Sequence, residues 1–168
     1  MAKVLLIDYE KCEGCLTCEM ACSLKHESVI NPIQSRIKVV KLELEVKATG
    51  IPIACAQCES APCKMVCPVK AISRDELMGS VTIDYDKCIG CRMCVAICPF
   101  GAMNYDGVKK VIFKCDLCDG DPLCVKFCGY NALQYVEVNE QSTLKQRKAA
   151  EKIRAAEKLG IDVIERAV

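Results

Sequence analysis

Residues 83–99 read Ile-Asp-Tyr-Asp-Lys-Cys-Ile-Gly-Cys-Arg-Met-Cys-Val-Ala-Ile-Cys-Pro, so that Cys88, Cys91, Cys94 and Cys98 follow the spacing C-x2-C-x2-C-x3-C-P. Two residues between sulfurs give the chain just enough length to curl around one small inorganic cube. Three thiolates then converge on one 4Fe–4S group, and the fourth cysteine of such a run reaches a different one. Gly90 allows close backbone approach. Pro99 fixes φ after the fourth sulfur and removes one N–H.

The run is not alone. Ile7-Asp-Tyr-Glu-Lys-Cys-Glu-Gly-Cys15 aligns without a gap on Ile83-Asp-Tyr-Asp-Lys-Cys-Ile-Gly-Cys91, an internal repeat. Group one is Cys12, Cys15, Cys18 and Cys22; group two is Cys55, Cys58, Cys63 and Cys67, followed by Pro68. Group three is the opening run, and group four is Cys115, Cys118, Cys124 and Cys128. Groups two and four share a longer middle spacing, a nearby proline (Pro62, Pro122) and a trailing Ala71-Ile72 or Ala132-Leu133. These groups use all 16 cysteines of the 168-residue chain.

Composition agrees. There is no tryptophan and only 5% aromatic residues, so an organic core would be thin and inorganic groups would serve as staples. With 23 basic and 22 acidic residues the net charge is +1, which argues against a nucleic-acid footprint. The N-terminal Val4-Leu-Leu-Ile7 is too short for a signal core, and no apolar run approaches a membrane span. The expected setting is therefore reducing and cytoplasmic. A disulfide scaffold does not space its cysteines this way.

The elements expected are short. Lys3–Tyr9 reads as a strand, Arg36–Val46 as an alternating strand or hairpin with a phase slip near Val40, and Cys63–Cys67 as a helical turn. Asp75–Gly79 is a turn, Val81–Tyr85 a strand, and Asp106-Gly107 marks a hairpin within Met103–Phe113. Gln134–Val138 closes the cysteine-bearing part. From Ser142 onward cysteines cease, and Ile153, Ala156, Leu159, Val163 and Ala167 recur at helical spacing. This divides the chain into a nested domain over 1–139 and a C-terminal amphipathic helical extension over 140–168. That helix packs on its own domain, on a partner subunit or on a second copy of the chain.

If the fourth cysteine of each run crosses over, the groups must pair, and sequence neighbours two and three make the simplest unit. One set is then Cys55, Cys58, Cys63 and Cys98, and its partner Cys88, Cys91, Cys94 and Cys67. The chain ends bring groups one and four together, giving Cys12, Cys15, Cys18 and Cys128, then Cys115, Cys118, Cys124 and Cys22. The expected fold class is α+β: two interlaced bacterial ferredoxin-like units, each with two cubanes, plus the helical arm. Zinc is the chemical competitor, most credible at group two or four. His26, the sole histidine, is read as a packing or hydrogen-bonding residue, and Lys11, Lys87, Arg92 and Lys114 as solvated charges beside the ligands.

The nested pattern resembles the iron–sulfur electron-transfer subunits of molybdenum and tungsten oxidoreductases, of the dimethyl sulfoxide reductase and formate dehydrogenase β type. Cys55-Ala-Gln-Cys-Glu-Ser-Ala-Pro-Cys-Lys-Met-Val-Cys-Pro68 carries that likeness. Cys18-Glu-Met-Ala-Cys-Ser-Leu-Lys-His-Glu27, with Asn31-Pro32 and Ser35-Arg36-Ile37, is similar to small subunits of tungsten aldehyde oxidoreductase-type enzymes. Group four is shorter than usual in that family, and Gly129 stands where proline follows the other late groups. The resemblance implies four 4Fe–4S clusters relaying single electrons between a larger tungsten- or molybdenum-pterin subunit and a flavin subunit or ferredoxin. No nucleophile set, phosphate loop or nicotinamide fingerprint accompanies the cysteines, so no catalytic residue is expected in this chain. An independent soluble polyferredoxin and a zinc scaffold are the alternatives, and end-to-end self-association stays open.

Overall fold

The computed structural model describes residues 3–44 and 47–138. In chain order the elements are β1 (Lys3–Ile7), α1 (Thr17–Glu27), β2 (Lys38–Leu44), β3 (Lys47–Ile53), α2 (Pro62–Met65) and β4 (Ile72–Arg74). They continue with β5 (Val81–Ile83), α3 (Met93–Ile97), β6 (Asn104–Asp106), β7 (Val111–Phe113), α4 (Leu123–Lys126) and β8 (Leu133–Glu137). The expected helix beyond Ser142, and with it the boundary at 139/140, lies outside the described residues.

The strands form separate two-stranded antiparallel ladders: β1 with β8, β2 with β3, β4 with β5, and β6 with β7. The sequence repeat is visible in two of them. Ile7 lies opposite Leu133 at the end of one ladder, and Ile83 opposite Ile72 at the end of another. The aspartate that follows, Asp8 or Asp84, donates its backbone N–H at 2.7 Å to the alanine carbonyl before the partner strand, Ala132 or Ala71. Thus the chain's first strand closes on its last described one, while the middle of the chain closes on itself.

Helices are short because the ligands themselves set their limits. The longest among the described residues, α1, starts after Leu16 in the left-handed region and stops at Ser28, whose N–H returns to the Leu24 carbonyl at 3.0 Å. Pro62 opens α2 at a first-turn position that has no use for an N–H. The β6–β7 reversal is longer than an Asp-Gly pair provides. The Asp106 carboxylate accepts from the backbone N–H groups of Val108 (2.8 Å) and Lys109 (2.9 Å), and the left-handed residue is Lys110. A side-chain acceptor, rather than a left-handed glycine, makes this turn.

Two buried groups of residues make the core. Cys18, Cys22 and Cys124 pack with Ile37, Ala54 and Leu133; Cys94 packs with Ala61, Ile72, Val81, Met103 and Ile112. Large side chains are scarce in both, so cysteine is a structural part of each. Among the described residues, no helix is long and apolar enough to cross a membrane.

Candidate metal centres

Each ligand loop is bent by residues in the left-handed region, and the bends repeat. Gly14 and Gly90 both have φ 66°, and Leu16 and Arg92 both have φ 64° just before α1 and α3. In groups two and four the bend falls on Gln57 and Leu117, two residues after the first cysteine. Three residues beyond the last cysteine of groups two, three and four stand Lys70, Gly101 and Asn131, again left-handed. Alternation of right- and left-handed residues turns successive N–H groups into a concavity, the anion-binding nest found at iron–sulfur sites. Non-glycine residues accept the strain because the loop closes around its ligands.

The cysteines collect around cavities. Cys88, Cys91 and Cys94 share a small pocket with Cys67, walled by Ile72, Ile83 and Ile112. Cys55, Cys58 and Cys63 share one with Cys98. Cys12, Cys15 and Cys18 share a third with Cys128. In each, three sulfurs come from one run and the fourth from another. Among the remaining cysteines, Cys124 has its pKa raised first by burial and then by the nearby Cys115, Cys22, Cys118 and Cys18.

Burial makes these thiols poor acids when no cation is present. It pushes Cys18 and Cys115 up to about 12, Cys94 and Cys118 up to about 11, and Cys124 higher still. Cys15 runs the other way, lowered first by a hydrogen bond from Thr17. Such a donor set ionises on binding a metal, which supplies the missing countercharge. Among the described residues, the ligand atoms of His26, Asp116 and Cys118 are the set of three lying within 4.8 Å of one another. The donor chemistry, four cysteines lining each of these pockets, fits a 4Fe–4S cube.

Two sulfurs, each the last of its run, receive backbone donors: Ala71 N–H to Cys67 at 3.2 Å and Arg36 N–H to Cys22 at 3.2 Å. His26 sits 3.5 Å from the Cys118 sulfur and 3.6 Å from Asp116, whose carboxylate also pairs with Arg36. Burial lowers the His26 pKa below its ordinary value. Its expected part as a hydrogen-bonding residue agrees with this geometry.

Three of the four cations beside ligands lie at the surface. Lys11 and Lys87 pair with Asp8 and Asp84, and Arg92 lies over the Tyr105 ring at 4.8 Å. Lys114 corrects the expectation of a solvated charge, being only 2% exposed. Sequence reasoning also missed Gln57, Glu19 and Asp116. Gln57 bridges group two to group four, the Glu19 carboxylate accepts from Val39 N–H at 2.6 Å, and Asp116 accepts from Cys118 N–H at 2.9 Å. Their signal was a polar residue inside or beside a ligand loop, which alone does not distinguish a buried bridge from a wet one.

A family model described as a 4Fe-4S dicluster domain matches residues 46–138. YsaA of Escherichia coli (strain K12), named for electron transport, is 41% identical over 125 residues, which are 69% of this chain and 76% of that protein. The polyferredoxin-like subunit of aliphatic sulfonate oxidoreductase from Pyrococcus furiosus is 41% identical over 112 residues, 67% of this chain and 63% of that one. A selenate reductase subunit of Mesobacillus selenatarsenatis is 42% identical over 107 residues, 61% of this chain but only 36% of its own length. Among solved structures, the active site complex BamBC of benzoyl coenzyme A reductase overlays with a TM-score of 0.46 at 27% identity, covering 91% of each chain. The dicluster model spans more than half of the sequence, and its matched segment holds groups two, three and four; the chain belongs to the 4Fe-4S dicluster domain family.

Proposed function

We propose that this chain is the electron-transfer subunit of an oxidoreductase complex, relaying single electrons through four 4Fe–4S clusters. The observation that carries the proposal is the composition of the cavities, each walled by three cysteines of one run and one of another. That arrangement supports two interlaced ferredoxin-like units, one from groups two and three, the other from groups one and four. A cubane supplies a one-electron reservoir that needs no proton donor or substrate site.

The chain's own residues do the rest. The crossover cysteines (Cys67, Cys98, Cys22 and Cys128) tie two centres together within each unit and keep them close. Ile72, Ile83 and Ile112 would shield one centre from water, while the Ala71 N–H donated to the Cys67 sulfur would favour its reduced form. Gln57 links the loop of group two to Cys115, which puts the two inner centres at the junction of the units. The file then runs from the Cys88 centre to the Cys55 centre, then to the Cys115 centre and the Cys12 centre.

A larger tungsten- or molybdenum-pterin subunit of the aldehyde oxidoreductase type is the proposed catalytic partner. Its support is the likeness at Cys18–Glu27 and the oxidoreductase-subunit names of relatives. The relatives are named as electron-transport proteins and oxidoreductase subunits, which supports a non-catalytic, electron-carrying role for this chain. Anaerobic purification tests both levels. About 16 iron atoms per chain, reducible by dithionite, are expected, together with a co-eluting pterin-containing subunit. Zinc in place of iron refutes the relay; a chain that elutes alone with full iron refutes only the partner.

A further inference from the structure

Lys114 is 2% exposed, and its ammonium donates to the Cys115 carbonyl oxygen at 2.8 Å. The same oxygen accepts from Gln57 Nε2 at 2.9 Å. Gln57 is itself buried between Cys55 and Cys58, and its Oε1 accepts from Val81 N–H at 2.7 Å. Arg74 holds the loop from the other side through the carbonyls of Gln57 (2.9 Å) and Cys58 (2.8 Å). The ammonium therefore lies in a fixed polar seam between the second and fourth cysteine groups. Through the shared Cys115 carbonyl it stands beside the ligand loops of both groups.

A buried cation is costly unless it meets a countercharge, and a carbonyl oxygen is only a dipole. Thiolates of the two groups whose loops meet at that carbonyl would supply the countercharge. The other cations differ: Lys11 and Lys87 are exposed and neutralised by Asp8 and Asp84. Asp116 opposes Lys114 at Cys115, but Arg36 pairs with that carboxylate.

We infer that the Lys114 ammonium is the shared countercharge of the two inner centres, raising the potential of each and screening their mutual repulsion when both are reduced. This rests on the four-cluster reading. Each centre gains one negative charge when an electron arrives, and the fixed cation stabilises that charge on either side of the seam. Electrons accordingly rest in the middle of the file rather than at its ends.

The test is an anaerobic reductive titration of the purified chain, followed by electron paramagnetic resonance, for wild type and for Lys114→Met, Lys114→Gln and Lys114→Arg. Wild-type iron content checks the underlying reading separately: fewer than four clusters sinks that reading, whatever the potentials do. With four clusters present, two of the four transitions should move to lower potential in the neutral variants. The other two should stay, and Lys114→Arg should restore all four. If Lys114→Met loses iron, the comparison is made on Lys114→Gln. Unmoved transitions, or a common shift of all four, overturn the inference. So does loss of the inner iron in both neutral variants with retention in Lys114→Arg, because the charge would then hold the centres without tuning them.

Discussion

Gly90→Ala separates two costs that usually travel together. Gly90 lies between Cys88 and Cys91 at φ 66°, and a Cβ placed there would meet the Lys110 carbonyl oxygen at 2.6 Å. Gly101 has almost the same backbone, φ 61°, with nothing within 4 Å of its would-be Cβ. Alanine at Gly101 therefore incurs only the left-handed penalty, about 1–2 kcal/mol. Alanine at Gly90 incurs the same strain plus displacement of a backbone carbonyl, about 1–3 kcal/mol by analogy with overpacked cores. The carbonyl cannot step aside cheaply: Lys110 is itself left-handed and ends the turn that Asp106 pins at Val108 and Lys109. The expected difference between the two variants is therefore about 1–3 kcal/mol, concentrated at the loop that presents Cys88 and Cys91. The assay is iron per chain and the anaerobic thermal midpoint at one scan rate. Gly101→Ala should keep its iron and melt a few degrees low, whereas Gly90→Ala should also lose iron from one centre. Equal midpoints and equal iron in the two variants would refute the reasoning.

Gly50→Ala should damage the first centre from outside, since its methyl would sit 2.7 Å from Gly14 Cα and 3.0 Å from the Cys12 sulfur. A cost of about 1–3 kcal/mol is expected, read as faster iron loss to a chelator; an unchanged release rate contradicts it. Arg36→Ala should destabilise by about 1–3 kcal/mol, less than the fully buried limit because Asp116 keeps a quarter of its surface in water. In a double-mutant cycle with Asp116→Ala, the two losses should not add; strict additivity would show that the pair contributes nothing. Anaerobic iron removal should collapse the tertiary structure, given cores built partly of cysteine, and a native-like near-ultraviolet spectrum of the apoprotein would contradict that. Burial raises the folded thiol pKa values, so protons must leave before metal enters, and reconstitution yield should rise from neutral toward alkaline pH. A yield that falls over that window would contradict the sign.

What could be read in the chain, and what could not, follows from how far each residue's effect reaches. Cysteine spacing acts within a loop of a few residues, so the four groups were legible one by one. The Ile7 and Ile83 repeat was legible too, because a duplicated strand brings a duplicated partner, and Leu133 and Ile72 occupy the matching places. The eleven-residue helix α1 was not anticipated, because cysteine spacing masks helical periodicity and its apolar stripe is weak. Lys114 shows the limit most clearly. Its neighbour Cys115 marks it only as a charge beside a ligand, the same sequence context as Lys11 and Lys87. What separates it is Gln57, far earlier in the chain, whose amide draws group two onto the Cys115 carbonyl and shuts out water. A charge is either screened or felt according to what packs over it, and that lid comes from a segment that no local pattern connects to it. On this reading a basic residue beside a cysteine ligand tunes a centre where a second ligand loop is tied to the same spot, and among the described residues Lys114, between the inner groups, meets that condition.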